Sequence, residues 1–314
     1  MKPGQKGAGA TMEKSMSGEG ARGFQPRLIE LLHAASVEVP ARQRDGVDEL
    51  RDLFDPGTDV YISFPPSAQF RDAAATAIAL ARAGFNPVPH LPARSIASRA
   101  DLTDFIARAT GEAGVRQALV IGGDLSPPRG PFGAAIDLLK SGELQRHGVG
   151  KVGFAGHPEG HPVLTQAILE ESLRAKIAFA AENGLEAYLV TQFCFEAEPI
   201  LAWLASLTRL GIDVPIRIGV AGPATARTLL RYAVRCGVGD SLRAIKTRTK
   251  TIGRLISEAG PEEVLREVAA GLTETPDARV TGVHFFPFGG LGKTSDWISQ
   301  TLSRLYAQIT PASA

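Results

Sequence analysis

Cysteine is nearly missing: Cys194 and Cys236 are the two in 314 residues, each set in an apolar run. So few thiols exclude a disulfide-stapled fold, and buried thiols in a reducing cytosol are the natural expectation. An excess of one charge is missing too. Lys and Arg number 34 against 33 Asp and Glu, a formal net charge of +1, which argues against chain-wide attraction to nucleic acid or anionic lipid. No apolar run reaches the ~20 residues of a membrane-spanning helix, so no membrane partner is expected. The first two dozen residues are rich in Gly, Ser and Lys and have no apolar h-region. They read as a flexible arm over 1–25, not a signal peptide, ahead of a single cytoplasmic domain over 26–314. A Gly-x-Ser-x-Gly elbow, a Walker loop and a Cys–His pairing are all lacking.

What is there is a rhythm. From residue 36 onward, short apolar runs alternate with longer stretches whose apolar residues recur at three- and four-residue steps. Strands are expected at 36–39, 59–64, 86–91, 117–123, 151–156, 186–195, 215–220 and 282–288. Several are apolar at nearly every position, as parallel strands covered on both faces should be. Eight strand–helix units over about 270 residues match a (β/α)8 barrel, the TIM-barrel class of α/β fold. The rival, an open doubly wound sheet, would show a Gly-rich dinucleotide fingerprint after its first strand; "SVEVPARQRDG" stands there instead. The connection before the last strand is long, with helices expected at 224–236 and near 261–272 around a basic segment.

In such a barrel the chemistry collects at the C-terminal strand ends. The polar residues there are Glu38, His90, Asp124, then His157, Glu159 and His161, then Thr191, Gln192 and Glu196, and last His284. The stretch "GFAGHPEGHP" (153–162) holds two histidines four residues apart on a loop broken by Pro158 and Pro162. Off a helix, that spacing does not bring the two rings together, although His90 or Asp124 could complete a metal set. A turn with histidines bonded to backbone and a cofactor pocket are the other readings of the same residues.

Taken together, "HPEGHP" (157–162), "VTQFCFEAEPILAWL" (190–204), "GIDVPIRIGVAGP" (211–223), "PHL" (89–91) and "GGD" (122–124) resemble the methylenetetrahydrofolate reductases, in order, over about 36–305. That resemblance implies a single-domain barrel built around FAD, with NADH or NADPH as electron donor. The folate derivative would be a methylene-tetrahydrofolate reduced to its 5-methyl form by ping-pong hydride transfer. It implies Glu38 as the general acid at N10, a role that a pKa raised by an apolar strand end would suit. It implies Asp124 as a catalytic and flavin-side carboxylate, Gln192 at the pterin edge, and Phe64, His90, His157, His161 and Lys176 around the FAD. Arg174 is a substitute for Lys176, because the spacing to Gln192 is about one turn longer than in the family. Phe285 is placed with the substrate.

Each residue also has a plainer reading: Glu38 as a strand-end ion pair with Arg42 or Arg44, Asp124 as a helix cap, Gln192 as a buried amide, Phe285 as core. The chain departs from the family at its first strand, "EVPAR" for "EFFPP", and after its last, where "FPFGG" replaces an expected arginine. The acid-free run 243–254 is either a solvated face or an anion-binding strip. No metal is expected, and apolar helix faces lead us to expect a homo-oligomer. A metal-dependent barrel hydrolase and a non-redox methyltetrahydrofolate-binding barrel are the alternatives.

Overall fold

The computed structural model of the chain describes residues 23–65, 67–236 and 258–309. Eight parallel strands close into one barrel: β1 (Ser36–Pro40), β2 (Asp59–Ser63), β3 (Asn86–Pro92), β4 (Gln117–Ile121), β5 (Lys151–Gly156), β6 (Glu186–Thr191), β7 (Ile216–Ala221) and β8 (Val280–Phe286). β8 pairs with both β7 and β1, which completes the circle. Around it lie α1 (Gln25–His33), α2 (Phe70–Arg82), α3 (Arg99–Ala113), the short α4 (Ala135–Leu139) and α5 (Glu143–Arg146), α6 (Gln166–Glu182), α7 (Ala197–Arg209), α8 (Ala226–Cys236), α9 (Glu262–Glu274) and α10 (Leu291–Ile309). A two-residue ribbon, Ala224–Thr225 with Glu258–Ala259, decorates the β7–β8 connection. No described helix is long and apolar enough to cross a membrane. Residues 1–22 and the basic run 243–254 lie outside the described residues. Gln25, expected as the end of the arm, is already the first residue of α1.

Strand parity sorts the side chains. Val37, Val39, Val60, Ile62, Val152, Phe154, Ile218, Val220, Val283 and Phe285 face outward into the layer shared with the helices. Burying such a side chain is worth roughly 1.5–3 kcal/mol, so this layer carries most of the cohesion. The opposite parity fills the barrel. Tyr61, Val88, Leu119, Tyr188 and Val190 pack there, with the Tyr61 hydroxyl donating to that of Tyr188 at 3.2 Å. Room for the Tyr188 ring comes from Gly153, where a Cβ would sit 2.5 Å from it. Burial pushes the Tyr61 phenol up to about 12, so it stays neutral.

Beneath the tyrosines the floor is polar but closed. Arg217 donates to Asp59 at 2.9 Å and to the Ala34 carbonyl at 2.6 Å, and Gln117 donates to Asp59 at 3.0 Å. A barrel plugged this way opens only at its C-terminal mouth.

Candidate active site

Glu38 stands on β1 at the inward parity, two residues above Ser36. Its Oε2 lies 3.5 Å from His90 Nε2 on β3 and 3.9 Å from His284 Nε2 on β8. Ser36 Oγ lies 3.0 Å from His284 Nδ1. With the proton on Nε2, the serine hydroxyl donates to Nδ1 and Nε2–H is aimed at the carboxylate, beyond hydrogen-bond reach at 3.9 Å. The Tyr61 ring packs edge-on to His284 at 4.5 Å and to His90 at 6.1 Å, fixing both imidazoles from below. Neither His90 Nε2 nor His284 Nε2 makes a hydrogen bond, although both atoms are buried. An unpaired buried nitrogen costs free energy, so this cluster is built to take a proton or a ligand atom.

Burial raises the Glu38 carboxyl, but the His284 and His90 imidazoles and the Ser63 hydroxyl outweigh it and hold the carboxyl below its ordinary range. Burial drives both imidazoles down, against the pull of Glu38. The three groups titrate as a unit. The imidazoles thus favour the carboxylate form of Glu38, while burial favours their own neutral form. This corrects the expectation of an apolar strand end that raises Glu38: the strand end is polar. The plainer expectation for Glu38 also fails, since Arg42 pairs with Asp72 and Arg44 with Asp45.

A second group sits past β5. Against the expectation that their spacing keeps the rings apart, His157 and His161 meet edge-to-face with centroids 5.3 Å apart, because the turn at 157–160 folds the loop back. His161 Nδ1 accepts from the backbone N–H of Val163 and Leu164, each at 3.2 Å, so this ring shapes the turn. Burial, then the charges of His161 and Lys176, push His157 down to about 4. Lys176, on α6 and 5.3 Å over the Phe154 ring, is pushed down to about 8 by burial. It has no ion pair among the described residues, whereas Arg174 points to solvent. A partly buried ammonium beside an imidazole, with no ion-pair partner among the described residues, suits an anion.

Asp124 follows β4 and is exposed; its charge and that of Glu38 both reach Cys236 at the end of α8. Gln192 is half-buried, its Oε1 accepting from the Phe193 N–H at 3.1 Å. Two sequence expectations are overturned by parity. Phe285 is fully buried and faces Trp297 of α10, with centroids 5.9 Å apart, in the sheet–helix layer and away from the mouth. Phe64 likewise stacks on Phe70 of α2 at 4.4 Å. The mouth-facing neighbours are Phe286 and Ser63. Phe286 joins Phe193, Phe195, Phe288 and Tyr232 in an aromatic rim. Sequence reading missed Ser36, Ser63 and this rim, and gave His284 no role. Counting in twos from Glu38 would have found Ser36.

Among the described residues no three His, Cys, Asp or Glu side chains converge as a metal cage, so His90, Asp124, His157 and His161 do not form one. A sequence model of the family described as Methylenetetrahydrofolate reductase matches residues 60–287. This chain belongs to the methylenetetrahydrofolate reductase family. Among curated relatives, "Methylenetetrahydrofolate reductase 2" of Saccharomyces cerevisiae is 29% identical over 111 residues, 34% of this chain and 18% of that protein. "Methylenetetrahydrofolate reductase 1" of Schizosaccharomyces pombe is 22% identical over 223 residues, 67% of this chain and 35% of the relative. The matched region thus spans only about a third or less of either relative's length. Among solved structures, dihydropteroate synthase from Thermus thermophilus aligns with TM-score 0.46 at 16% identity, covering 88% of this chain and 94% of that one. The family match begins after Glu38, whose standing rests on geometry.

Proposed function

We propose that this chain interconverts 5,10-methylenetetrahydrofolate and 5-methyltetrahydrofolate, with NADH or NADPH as electron donor and FAD as the bound carrier. The observation that carries the reading is the Glu38–His90–His284 cluster, with its unpaired buried nitrogens, at the mouth of a barrel from this family. The residues present suit the flavin nucleotide: Lys176 and His157 offer a place for a phosphate, and His90 lines the same mouth. Bound there, FAD would supply two-electron storage between nicotinamide and folate.

The chain's own residues then have separable duties. Lys176 binds negative charge. Glu38 moves a proton: one proton added to its cluster makes a donor shared by carboxyl and imidazole, close to where N10 of the folate must leave the methylene bridge. Asp124 places negative charge at the rim, which favours a cationic folate. Gln192 offers an amide edge to the pterin, its N–H groups unengaged among the described residues. The apolar rim of Phe193, Phe286 and Phe288 excludes water over them.

The test is a spectrum. Purified protein is expected to be yellow, to bleach anaerobically with NADH or NADPH, and to regain colour on adding methylenetetrahydrofolate. Colourless protein that takes up no FAD refutes the reading. Folate binding without any nicotinamide oxidation points instead to a non-redox folate barrel.

A further inference from the structure

The connection from β4 to α4, "GGDLSPPRGPFGA" (122–134), carries Asp124 and holds four glycines and three prolines. Glycine leaves a backbone free to wander and proline has no N–H to give. Such a loop takes its position from partners outside it. The partner is Arg94, two residues past the end of β3. Four hydrogen bonds run from Arg94, and each ends on this loop. Its backbone N–H donates to the Gly122 carbonyl at 2.9 Å, and its carbonyl accepts from the Arg129 N–H at 2.9 Å. Its Nε donates to the Leu125 carbonyl and its Nη1 to the Gly133 carbonyl at 3.2 Å. The bonds to Gly122 and Leu125 bracket Asp124 on either side. Between them Gly123 turns at φ +84°, where a Cβ would stand 3.1 Å from that of Pro92. Farther along, Gly130 presses so close that a Cβ would lie 2.2 Å from the Ala97 carbonyl oxygen.

We propose that Arg94 is a positioning residue, fixing the Asp124 carboxylate relative to the Glu38–His90–His284 cluster so that both act on one bound folate. The inference rests on the folate reading of the mouth and adds the residue that holds its rim carboxylate in place. The half-buried guanidinium enters no ion pair among the described residues, and its donors go to backbone carbonyls. Hydrogen bonds from a charged donor are stronger than neutral ones, and the rigid fork of arginine reaches two carbonyls at once, which a lysine ammonium on its flexible stem does less well. Arg94 also follows His90 by four residues on the same strand end. One segment therefore sets both the imidazole beside Glu38 and the loop of Asp124. Displacing a reacting group by ~1 Å costs about 10²-fold in rate, which is the scale on which such a clasp acts.

The experiment is a double-mutant cycle on the FAD-loaded full chain, with the two half-reactions followed by stopped flow. R94M should slow reduction of methylenetetrahydrofolate by about 10- to 100-fold and reduction of the flavin by NADH much less. D124N should slow the same folate step, and R94M/D124N should be no slower than D124N within about twofold, because Arg94 acts through Asp124. R94K, which keeps the charge and loses the fork, should lose about threefold, again only while Asp124 is present. If R94M does not fold, R94K carries the test in both backgrounds. Losses that multiply in the double variant overturn the proposal, as does equal slowing of both half-reactions, the mark of a merely structural role or of direct contact with the cofactor. An R94K variant as fast as wild type overturns it too. Folate turnover by the wild type with multiplying losses removes Arg94 alone; a wild type that turns over no folate removes the folate reading and the positioning role together.

Discussion

Glu38 is pulled in opposite directions by its surroundings: burial favours its acid form, while two imidazoles and a serine hydroxyl favour the carboxylate. A proton-transfer role therefore belongs to the cluster, and the variant Glu38→Gln, which keeps the shape, isolates it. Reduction of the flavin by NADH should survive within about threefold, while reduction of methylenetetrahydrofolate should fall by about 10²–10⁴. Stopped-flow measurement of the two half-reactions checks this, and equal loss in both would contradict it. At Lys176 the sign follows from its depressed pKa of about 8. Below that pH the amine is charged and ready for a phosphate; an anion raises its pKa, so binding takes up protons as pH climbs above about 8. FAD affinity should then fall by up to about tenfold per pH unit above 8. Titration of the FAD-free protein between pH 7 and 9.5 tests it, and Lys176→Met should bind weakly with a flat profile.

Among elements, strand β8 shows why period two matters. Phe285 and Phe286 are adjacent in sequence and belong to different layers, one against Trp297, the other in the aromatic rim. Phe285→Ala should cost about 3–5 kcal/mol of stability, read by denaturant unfolding, with the KM for folate little changed. Phe286→Ala should do the reverse, raising KM while the unfolding midpoint stays close to wild type. Had the two effects come out swapped, the strand register would be wrong by one residue. Helix α6 teaches a similar lesson about spacing. Sequence left Arg174 and Lys176 as alternatives for one anion site, and the helix turns Lys176 toward His157 and Arg174 to solvent.

For the molecule as a whole, the closed circle of strands is sealed below by Arg217 of β7 and Asp59 of β2, strands with β8 and β1 between them. Their side chains are 20% and 14% exposed, so each charge depends on the other. Arg217→Met should destabilise by about 3–5 kcal/mol through the orphaned carboxylate, and Asp59→Asn in the same background should restore part of that loss. Thermal or denaturant melts of the single and double variants measure it; additive losses would contradict it.

The strand positions and the barrel were legible in the residues alone, because parallel strands buried on both faces are apolar at nearly every position and the unit repeats eight times. Glu38, His90, Asp124 and the histidines past β5 could be collected as strand-end polar groups for the same reason. What the residues could not decide was company. His284 meets Ser36 and Glu38 only because β8 closes against β1, a contact between positions 248 residues apart. Protonation followed from that closure and not from composition, since each group's pKa depends on which neighbours burial forces upon it.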